Sequence, residues 1–442
     1  MDFRSRQRIR DFPQRDPEQS PLHKVLATHL ETFLSRNELD PSHAGLPAFV
    51  HRELREAVTC GIFANGFARV HCPTCSRDHF VAFSCKGRGF CPSCGGRRMA
   101  ESAAHLTDHV IPDVPVRQWV VTFPWRIRFL LARDRALLCA TRRSILRLLL
   151  AATRKRAGFR ARHSAHGGAV CHVQRFGSAL NLNLHLHALL LDGAYTATPS
   201  GLPTFHPAPP PTDDEVADLL RLIRDCVARI LMRAGIDDPH ASGESFTQLD
   251  FINAASIQGR TALGVEHESK LKRLGIPTTS ARDAPTRRAP LCSALEGFSL
   301  HAAVSVPYRR RDRLERLCRY ITRPALASTR LTLDRRGNVL LKLKRPFRDG
   351  TSHFSFTPLA FLERLAALVP PPRAHLLTYH GVLAPASTLC SRAVPTPPPR
   401  PLRSKGLSES SCDPRNSWAE LMKRVFALCW GVHLSGRRAK RT

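Results

Sequence analysis

Residues 181–193, with the sequence NLNLHLHALLLDG, decide the fold of this chain. Apolar residues alternate there with Asn183, His185 and His187, and this period of two predicts a β-strand with two distinct faces. His185 and His187 share one face, with Cβ atoms about 7 Å apart, close enough to bind one divalent ion. Leu186 points the opposite way, into a core. A solvent-facing histidine pair on an antiparallel sheet is the alternative that the strand alone leaves open.

The composition favours a nucleic-acid partner. The chain has 442 residues, enough for two or three domains, and a net charge of +31 with arginine far commoner than lysine. Guanidinium groups match phosphate geometry and stack on bases. The most apolar region, residues 129–152, is interrupted by five arginines, and the N-terminus lacks the apolar core of a signal peptide. We therefore expect a cytoplasmic protein with no membrane partner.

Cysteine spacing predicts a structural zinc site. Of fourteen cysteines, five lie between positions 72 and 94. Cys72 with Cys75, and Cys91 with Cys94, form two CxxC knuckles fifteen residues apart, and four thiolates complete a tetrahedral Zn²⁺ site. Cys85 lies between the knuckles and could replace one ligand. Clustering of this kind in a reducing compartment favours metal binding over disulfides.

Basic and aromatic residues are interleaved around the second knuckle: Lys86, Arg88, Arg97, Arg98, Phe80, Phe83 and Phe90. This pattern suits a single strand of nucleic acid, which such residues bind by phosphate contact and base stacking. The alternative is that the aromatic rings form the small core of the module.

A second segment with chemical potential is residues 309–324, RRRDRLERLCRYITRP. Its apolar residues form one helical stripe: Leu314, Leu317, Cys318 and Ile321. Tyr320 lies at the edge of that stripe, and Pro324 ends the helix. Arg313, Arg316, Arg319 and Arg323 would hold a phosphodiester against the tyrosine hydroxyl and favour its phenolate form. Ordinary core packing of Tyr320 is the alternative.

The remaining patterns indicate an α+β fold. Strands are expected at 117–123, 169–176 and 295–306, with a hairpin at 331–343, whereas 203–211 is proline-rich and expected to be irregular. We expect four parts: an N-terminal helical region (1–60), a zinc-binding domain (61–112), a catalytic domain (113–390), and a Pro/Arg-rich linker with a short C-terminal helix and basic tail (391–442).

Two histidines separated by one apolar residue on a strand, with a tyrosine on a downstream helix, resemble the HUH endonucleases, where U is a hydrophobic residue. The chain is most similar to the rolling-circle transposases of insertion-sequence family ninety-one and the related common-region elements. Residues 72–99, 174–187, 314–321 and 379–385 carry the resemblance. It implies an N-terminal helical and zinc-ribbon module followed by an HUH-endonuclease-like antiparallel sheet with flanking helices.

The resemblance also implies a mechanism. His185 and His187 would hold Mg²⁺ or Mn²⁺ on the scissile phosphate of single-stranded DNA, and Tyr320 would attack to leave a 5′-phosphotyrosine. Gln174 and His301 are the candidates for a third metal ligand. The candidate DNA-binding residues are Arg97, Arg98, Arg175, Arg316, Arg319 and Arg323. The implied partners are single-stranded DNA at transposon ends and target DNA in the bacterial nucleoid; a homo-oligomer stays open.

One departure from the family pattern concerns the nucleophile. Some relatives use two tyrosines four residues apart, but positions 316 and 324 are arginine and proline. The sequence therefore predicts a single-tyrosine variant. Two other functions are compatible with the chain: a metal-free tyrosine recombinase with Tyr320 or Tyr379 as nucleophile, and a non-catalytic zinc-ribbon DNA-binding remnant of a transposase.

Overall fold

The computed structural model describes residues 16–38, 45–72, 77–161, 163–197, 203–236, 247–263, 268–275 and 290–394. Cys75 and most of the expected C-terminal linker, helix and basic tail lie outside these ranges. The side chain of Cys72 is likewise outside the described part. Within the described ranges, helices and antiparallel strands are mixed, as the α+β expectation requires.

The N-terminal part is a helical layer followed by a small cysteine-rich module. Helices α1 (Pro21–Glu38) and α2 (Ala48–Val58) pack against each other through apolar residues that include Leu26, Phe33 and Leu54. A two-stranded hairpin follows, β1 (Phe67–Cys72) and β2 (Arg77–Ala82). Helix α3 (Pro92–His105) starts at the second knuckle and continues as a π-helical turn at Leu106–Val110. Pro92 fits the first turn because it lacks an N–H that would go unpaired there.

A seven-stranded antiparallel sheet forms the centre of the protein, in the order β15-β4-β5-β3-β10-β9, with β11 also pairing with β3. Its strands are β3 (Val116–Thr122), β4 (Gly168–Phe176), β5 (Leu182–Leu191), β9 (Cys292–Leu295), β10 (Phe298–His301), β11 (Ser305–Val306) and β15 (Leu377–Gly381). The predicted histidine strand is β5, between β4 and β3. The strand at the far edge, β15, comes from the end of the described chain.

The two faces of β5 have different surroundings. Leu184, Leu186 and Leu190 enter the main core. That core also receives side chains from α4 (Trp125–Arg133), α5 (Arg135–Arg156), α6 (Asp213–Arg233), α7 (Gln248–Gln258) and α9 (Pro358–Leu368). Leu189 and Leu191, on the histidine face, enter a second core with residues from α3 and from α8 (Arg311–Ile321). The sheet is therefore packed against other elements on both faces.

Smaller strands complete the fold. A four-stranded sheet has the order β12-β13-β14-β8, from β12 (Leu331–Leu333), β13 (Val339–Lys342), β14 (Thr351–Phe356) and β8 (Lys272–Gly275). The hairpin predicted at 331–343 is β12 and β13. The expectation of irregular structure at 203–211 was wrong in part, because β7 (Thr204–Pro207) pairs with β6 (Gly193–Thr196). A proline at a strand end costs no ladder bond. Helix α10 (Cys390–Ala393) ends the described chain.

Candidate active site

His185 and His187 lie side by side on one face of β5. Their ring centroids are 4.9 Å apart, and both side chains are more than nine-tenths buried. The register of the sheet places Gln174 and Thr122 opposite His185, and His172 and Val120 opposite His187. The pair is thus enclosed by neighbouring strands and is not the solvent-facing alternative.

Hydrogen bonds to the Nδ1 atoms orient both rings. Nδ1–H of His185 donates to the carbonyl oxygen of Asn183 at 2.7 Å, which leaves the Nε2 lone pair free. Nδ1 of His187 is 2.8 Å from the amide nitrogen of Gln118, and its Nε2 is buried without a hydrogen-bond partner. A 180° rotation of the Gln118 amide presents its oxygen to Nδ1–H and frees Nε2 in the same way. Both imidazoles can therefore offer Nε2 to a metal ion.

Burial keeps these histidines neutral. It lowers the pKa of His185 to about 4 and that of His187 to about 2, and the positive charge of Arg323 acts in the same direction on both. Burial also lowers the pKa of His172 to about 4. A neutral imidazole is the form that binds metal, so no proton has to be displaced near neutral pH.

Helix α8 brings Tyr320 to this pair. Leu314, Leu317, Cys318 and Ile321 are buried in the second core, which fixes the rotation of the helix. Tyr320 then extends past the core edge with 48% of its surface exposed, and its ring centroid lies 5.8 Å from that of His187 in an edge-on arrangement. The phenol is thus next to the histidines and open to a ligand.

Of the four arginines expected around Tyr320, Arg323 contacts its ring. The guanidinium carbon of Arg323 lies 4.3 Å from the centroid of the tyrosine ring, a cation–π contact. Arg316 pairs with Asp312, and Arg319 with Glu315, one helical turn away in each case. Such i,i+4 ion pairs are weak, so contact of Arg316 and Arg319 with a phosphodiester stays a prediction.

The candidates for a third metal ligand differ in their surroundings. Gln174 uses its amide to hold α8: Nε2 donates to the Ile321 carbonyl at 3.3 Å, and Oε1 accepts from Arg323 at 3.2 Å. His301 lies on β10, with β3 between it and β5. His172 lies directly across from His187, and its Nδ1 is buried without a hydrogen-bond partner. Of the three, His172 is the residue with an unused donor atom on the strand next to the histidines.

A four-thiol cluster occupies the cysteine-rich module. The Sγ atoms of Cys60, Cys85, Cys91 and Cys94 all lie within 4.8 Å of one another. The closest approaches are 3.4 Å, 3.6 Å and 3.7 Å. Zn–S bonds of about 2.3 Å give a tetrahedron with edges of about 3.8 Å, so the cluster has the dimensions of a structural zinc site. Hydrogen bonding among the thiols, Cys60 first, lowers the pKa of Cys94 and raises those of Cys85 and Cys91.

This cluster differs from the ligand set that the spacing predicted. Cys91 and Cys94 are in it, and so is Cys85, which the sequence interpretation named as a possible replacement for one ligand. The fourth thiol is Cys60, which the sequence interpretation missed; Cys72 by its side chain, and Cys75 entirely, lie outside the described residues. The available signal was a cysteine at the end of α2, just before the module begins.

Some aromatic residues of the module are buried, as a core role predicts, and others are exposed, as stacking on bases predicts. Phe90 is buried in the main core, whereas Phe80 and Phe83 are 53% and 57% exposed. The exposed ring of Phe67 stacks edge-on against Phe80, with centroids 5.4 Å apart. Arg97 is exposed on α3. The rings of the hairpin are therefore accessible to a base, as the nucleic-acid interpretation expects.

An exposed phenol beside two buried imidazoles in a strongly basic chain suits a DNA-processing enzyme, and the family matches show that class. Comparison with protein families gives the particular family: residues 168–390 match the Y2_Tnp transposases, and residues 25–123 match the transposase zinc-binding domain of the IS91 type. The chain belongs to the Y2_Tnp transposase family, with IS91-type zinc-binding domain. Searches of curated proteins and of solved structures found no match. Among the described residues, no helix is long and apolar enough to cross a membrane.

Proposed function

We propose that this transposase nicks and rejoins single-stranded DNA at insertion-sequence ends, with Tyr320 as the nucleophile, in rolling-circle transposition. The observation that carries the proposal is the 5.8 Å separation of the Tyr320 and His187 rings. These residues come from a helix and a strand that are distant in the chain. Packing of the hydrophobic core does not explain why a half-exposed tyrosine lies beside two buried histidines.

The site fits a hard divalent ion that shares its coordination with DNA. His185 and His187 would hold Mg²⁺ or Mn²⁺ through Nε2, and because the described residues bring no third His, Cys, Asp or Glu into a close ligand group with them, water and DNA would complete the coordination. The ion, when bound, polarises the scissile phosphate. No aspartate or glutamate is among the described residues that line the pocket beside His185. Phosphate oxygens of the substrate would supply the negative charge that the protein does not.

The covalent step conserves the phosphodiester. The oxygen of Tyr320 attacks phosphorus and loses its proton to solvent, the bond from phosphorus to the 3′-oxygen breaks, and that oxygen takes up a proton. The products are a 5′-phosphotyrosine and a free 3′-hydroxyl. The reverse attack by a 3′-hydroxyl restores the strand and the phenol, so joining needs no nucleotide cofactor.

Neighbouring groups hold the strand for this step. Arg323 lies over the Tyr320 ring, and its Nη2 atom donates to Gln174, so its position is fixed before substrate arrives. Arg330 and Lys344 line the same pocket as His185. A pre-positioned cation near the reacting phosphate stabilises the charge that develops in the transition state.

The test is formation of a covalent adduct. Zinc-loaded protein is incubated with labelled single-stranded terminus DNA and Mn²⁺, and a denaturing gel shows whether label migrates with protein. Tyr320→Phe should abolish the adduct, whereas Tyr308→Phe, which removes another half-exposed tyrosine near α8, should leave it unchanged. Adduct that persists in Tyr320→Phe would refute this role.

The same assay separates the other functions. A metal-free tyrosine recombinase would form adducts on duplex DNA without Mg²⁺ or Mn²⁺, and Tyr379→Phe would test its other nucleophile. A non-catalytic remnant would bind DNA with a steep salt dependence and form no adduct with any metal. The buried, neutral histidine pair favours the metal-dependent enzyme over both. We place its action on DNA in the bacterial nucleoid; whether it works as a homo-oligomer is measured by light scattering of the DNA complex.

A further inference from the structure

A cavity of about 350 Å³ separates the cysteine-rich module from the catalytic sheet. We call it the inter-module cavity; one wall is Arg88, Cys91, Arg98 and Ser102 of the module, and the opposite wall is formed by β4, the end of α8 and the segment 374–377. The pairing of β15 with β4 ends at Leu377 and His172, so the rest of the β4 edge borders the cavity. The opening therefore lies where two parts of the protein meet, a usual position for a ligand site.

Arginines give the lining of the inter-module cavity a strong positive charge. Four arginines line it, and no aspartate or glutamate is among its described lining residues: Arg88, Arg98, Arg175 and Arg323. Each guanidinium donates to carbonyl or amide oxygens, such as those of Ala374, Gly87 and Ala367. In the described part of the chain none of the four has a carboxylate at ion-pair distance. The carboxylate of Glu53 acts electrostatically on Arg88 and Arg98, whereas burial alone shifts the pKa of Arg175, so Arg175 is where an entering anion would matter most.

Arg175 is the most informative of the four. Its side chain is more than nine-tenths buried, its Nε has no hydrogen-bond partner, and its one hydrogen bond is a 3.3 Å contact to the Ala367 carbonyl. An arginine buried without a carboxylate is costly, because its charge has lost water and gained no counter-ion. A chain that retains such a group in a cavity wall has kept a site for a negative ligand.

The inter-module cavity adjoins the pocket beside His185. A second cavity of about 420 Å³ contains His185, Arg330 and Lys344. Residues 174 and 176 and residues 323–325 line both cavities, so the two openings meet at Arg323, the residue over the Tyr320 ring. A strand held with one phosphate at Tyr320 can therefore extend directly into the inter-module cavity.

We propose that the inter-module cavity binds a nucleotide of the single strand next to the scissile phosphate, with its phosphate on Arg175 and on the module arginines. This rests on the proposed function and adds a substrate subsite to it. The zinc module then has a second role: besides folding around its metal, it forms one wall of the DNA groove. DNA bound between the two walls would be positioned correctly only when the zinc module is docked on the catalytic sheet.

The test measures binding without chemistry. Zinc-loaded Tyr320→Phe protein, without Mg²⁺ or Mn²⁺, is titrated with a length series of dye-labelled oligothymidylates by fluorescence anisotropy at several salt concentrations. Arg175→Met keeps the side-chain volume and removes the charge. Its affinity should fall roughly 10-fold, and its salt slope should fall by about 0.7, the value for one lost phosphate contact on a single strand. The control Arg221→Met removes an equal charge from the exposed face of α6.

A second variant tests the opposite wall and does not depend on how Arg175→Met folds. Ser102→Asp puts a negative charge into the cavity from α3, and Ser102→Asn is its neutral match. The aspartate should weaken binding and the asparagine should not. As the oligothymidylate is lengthened, the affinity of the parent should keep rising beyond the length at which the affinity of Arg175→Met stops rising. The reason is that the variant lacks the contact with the added nucleotide.

The outcomes separate this subsite from the nuclease proposal. Unchanged affinity, salt slope and length dependence in both Arg175→Met and Ser102→Asp would overturn the subsite, even if Tyr320 forms adducts normally. Absence of adducts in the wild type would refute the nuclease role, while the binding effects of these variants could still be measured.

Discussion

Gly95 of helix α3 lies against Pro324, three residues beyond the end of α8, so closely that a Cβ atom on Gly95 would be 2.6 Å from the proline Cβ. Position 324 is one of the two positions, with 316, at which a second tyrosine four residues from Tyr320 would stand. In this chain the position serves as a contact between the zinc module and the catalytic helix. The distance is shorter than Cβ contacts in proteins allow, and both contacting groups are rigid.

Gly95→Ala should therefore separate α3 from α8. We expect the free energy of unfolding to fall by about 1–3 kcal/mol, the usual cost of overpacking, and adduct formation to fall with it. Gly96→Ala is the matched control, since nothing lies within 4 Å of its added methyl group. That change should raise stability by up to about 1 kcal/mol through helix propensity. Urea unfolding of both variants measures the difference; equal stabilities would show that the α3–α8 contact adapts.

Cys60→Ser should remove zinc from the module. If Cys60 is one of the four ligands, its loss opens the tetrahedron, and the module, which depends on metal binding of about 10–16 kcal/mol, should lose its fold. Zinc content by atomic absorption and the thermal unfolding curve report the effect. The control Cys139→Ser changes a half-buried cysteine on α5 and should keep full zinc. Full zinc content in Cys60→Ser would favour the ligand set with Cys72 and Cys75.

Gln118→Leu should weaken catalytic metal binding without unfolding the protein. Its amide is the hydrogen-bond partner of His187 Nδ1, and loss of such a partner typically costs 10–100-fold in metal affinity. Gln118→Glu, which still offers an oxygen to Nδ1–H, should bind Mn²⁺ at least as tightly as the wild type. Mn²⁺ titration followed by electron paramagnetic resonance gives both affinities. Equal affinities in the wild type and Gln118→Leu would show that the ring orients itself without this amide.

Stability should fall on mild acidification in the absence of Mg²⁺ and Mn²⁺. Burial lowers the pKa of His172, His185 and His380 to about 4 and that of His187 to about 2, while unfolded histidine titrates near about 6.5. Between these values only the unfolded state binds the protons. Each histidine should therefore remove up to about 1.4 kcal/mol per pH unit from the free energy of unfolding below pH about 6.5, and most of the loss should be complete near pH about 4.

The control for this pH dependence is His380→Gln. His380 lies on β15, away from His185 and His187, and its removal should reduce the slope of stability against pH by about one proton. Denaturant unfolding from pH 7 to pH about 4 measures the slope. A variant whose slope equals that of the wild type would show that His380 titrates alike in the folded and unfolded states.

Local patterns in the sequence were enough to predict the main elements of the candidate site. Alternation in β5 placed both histidines on one face, and the stripe in α8 placed Tyr320 at its edge, because each depends on the period of a single element. The pairing of Arg316 with Asp312 and of Arg319 with Glu315 could also be predicted from the i,i+4 spacing of these residues.

Long-range contacts could not be predicted in this way. Cys60 joins its cluster from a helix end outside the knuckles, and Gln118 reaches His187 from a neighbouring strand whose place in the sheet no local pattern gives. The inter-module cavity depends on how α3, α8 and β4 dock. These features arise from tertiary packing, which depends on many residues that are distant in the sequence and not on any local pattern.

The order of the strands along the chain has a consequence for synthesis. β5, with both histidines, leaves the ribosome long before α8, and β15, which closes the sheet beside β4, leaves it last. The two histidines of a nascent chain are therefore synthesised before Tyr320. Domains generally fold as units during synthesis. A polypeptide released before residue 381 would therefore lack either Tyr320 or the strand that completes the sheet beside β4.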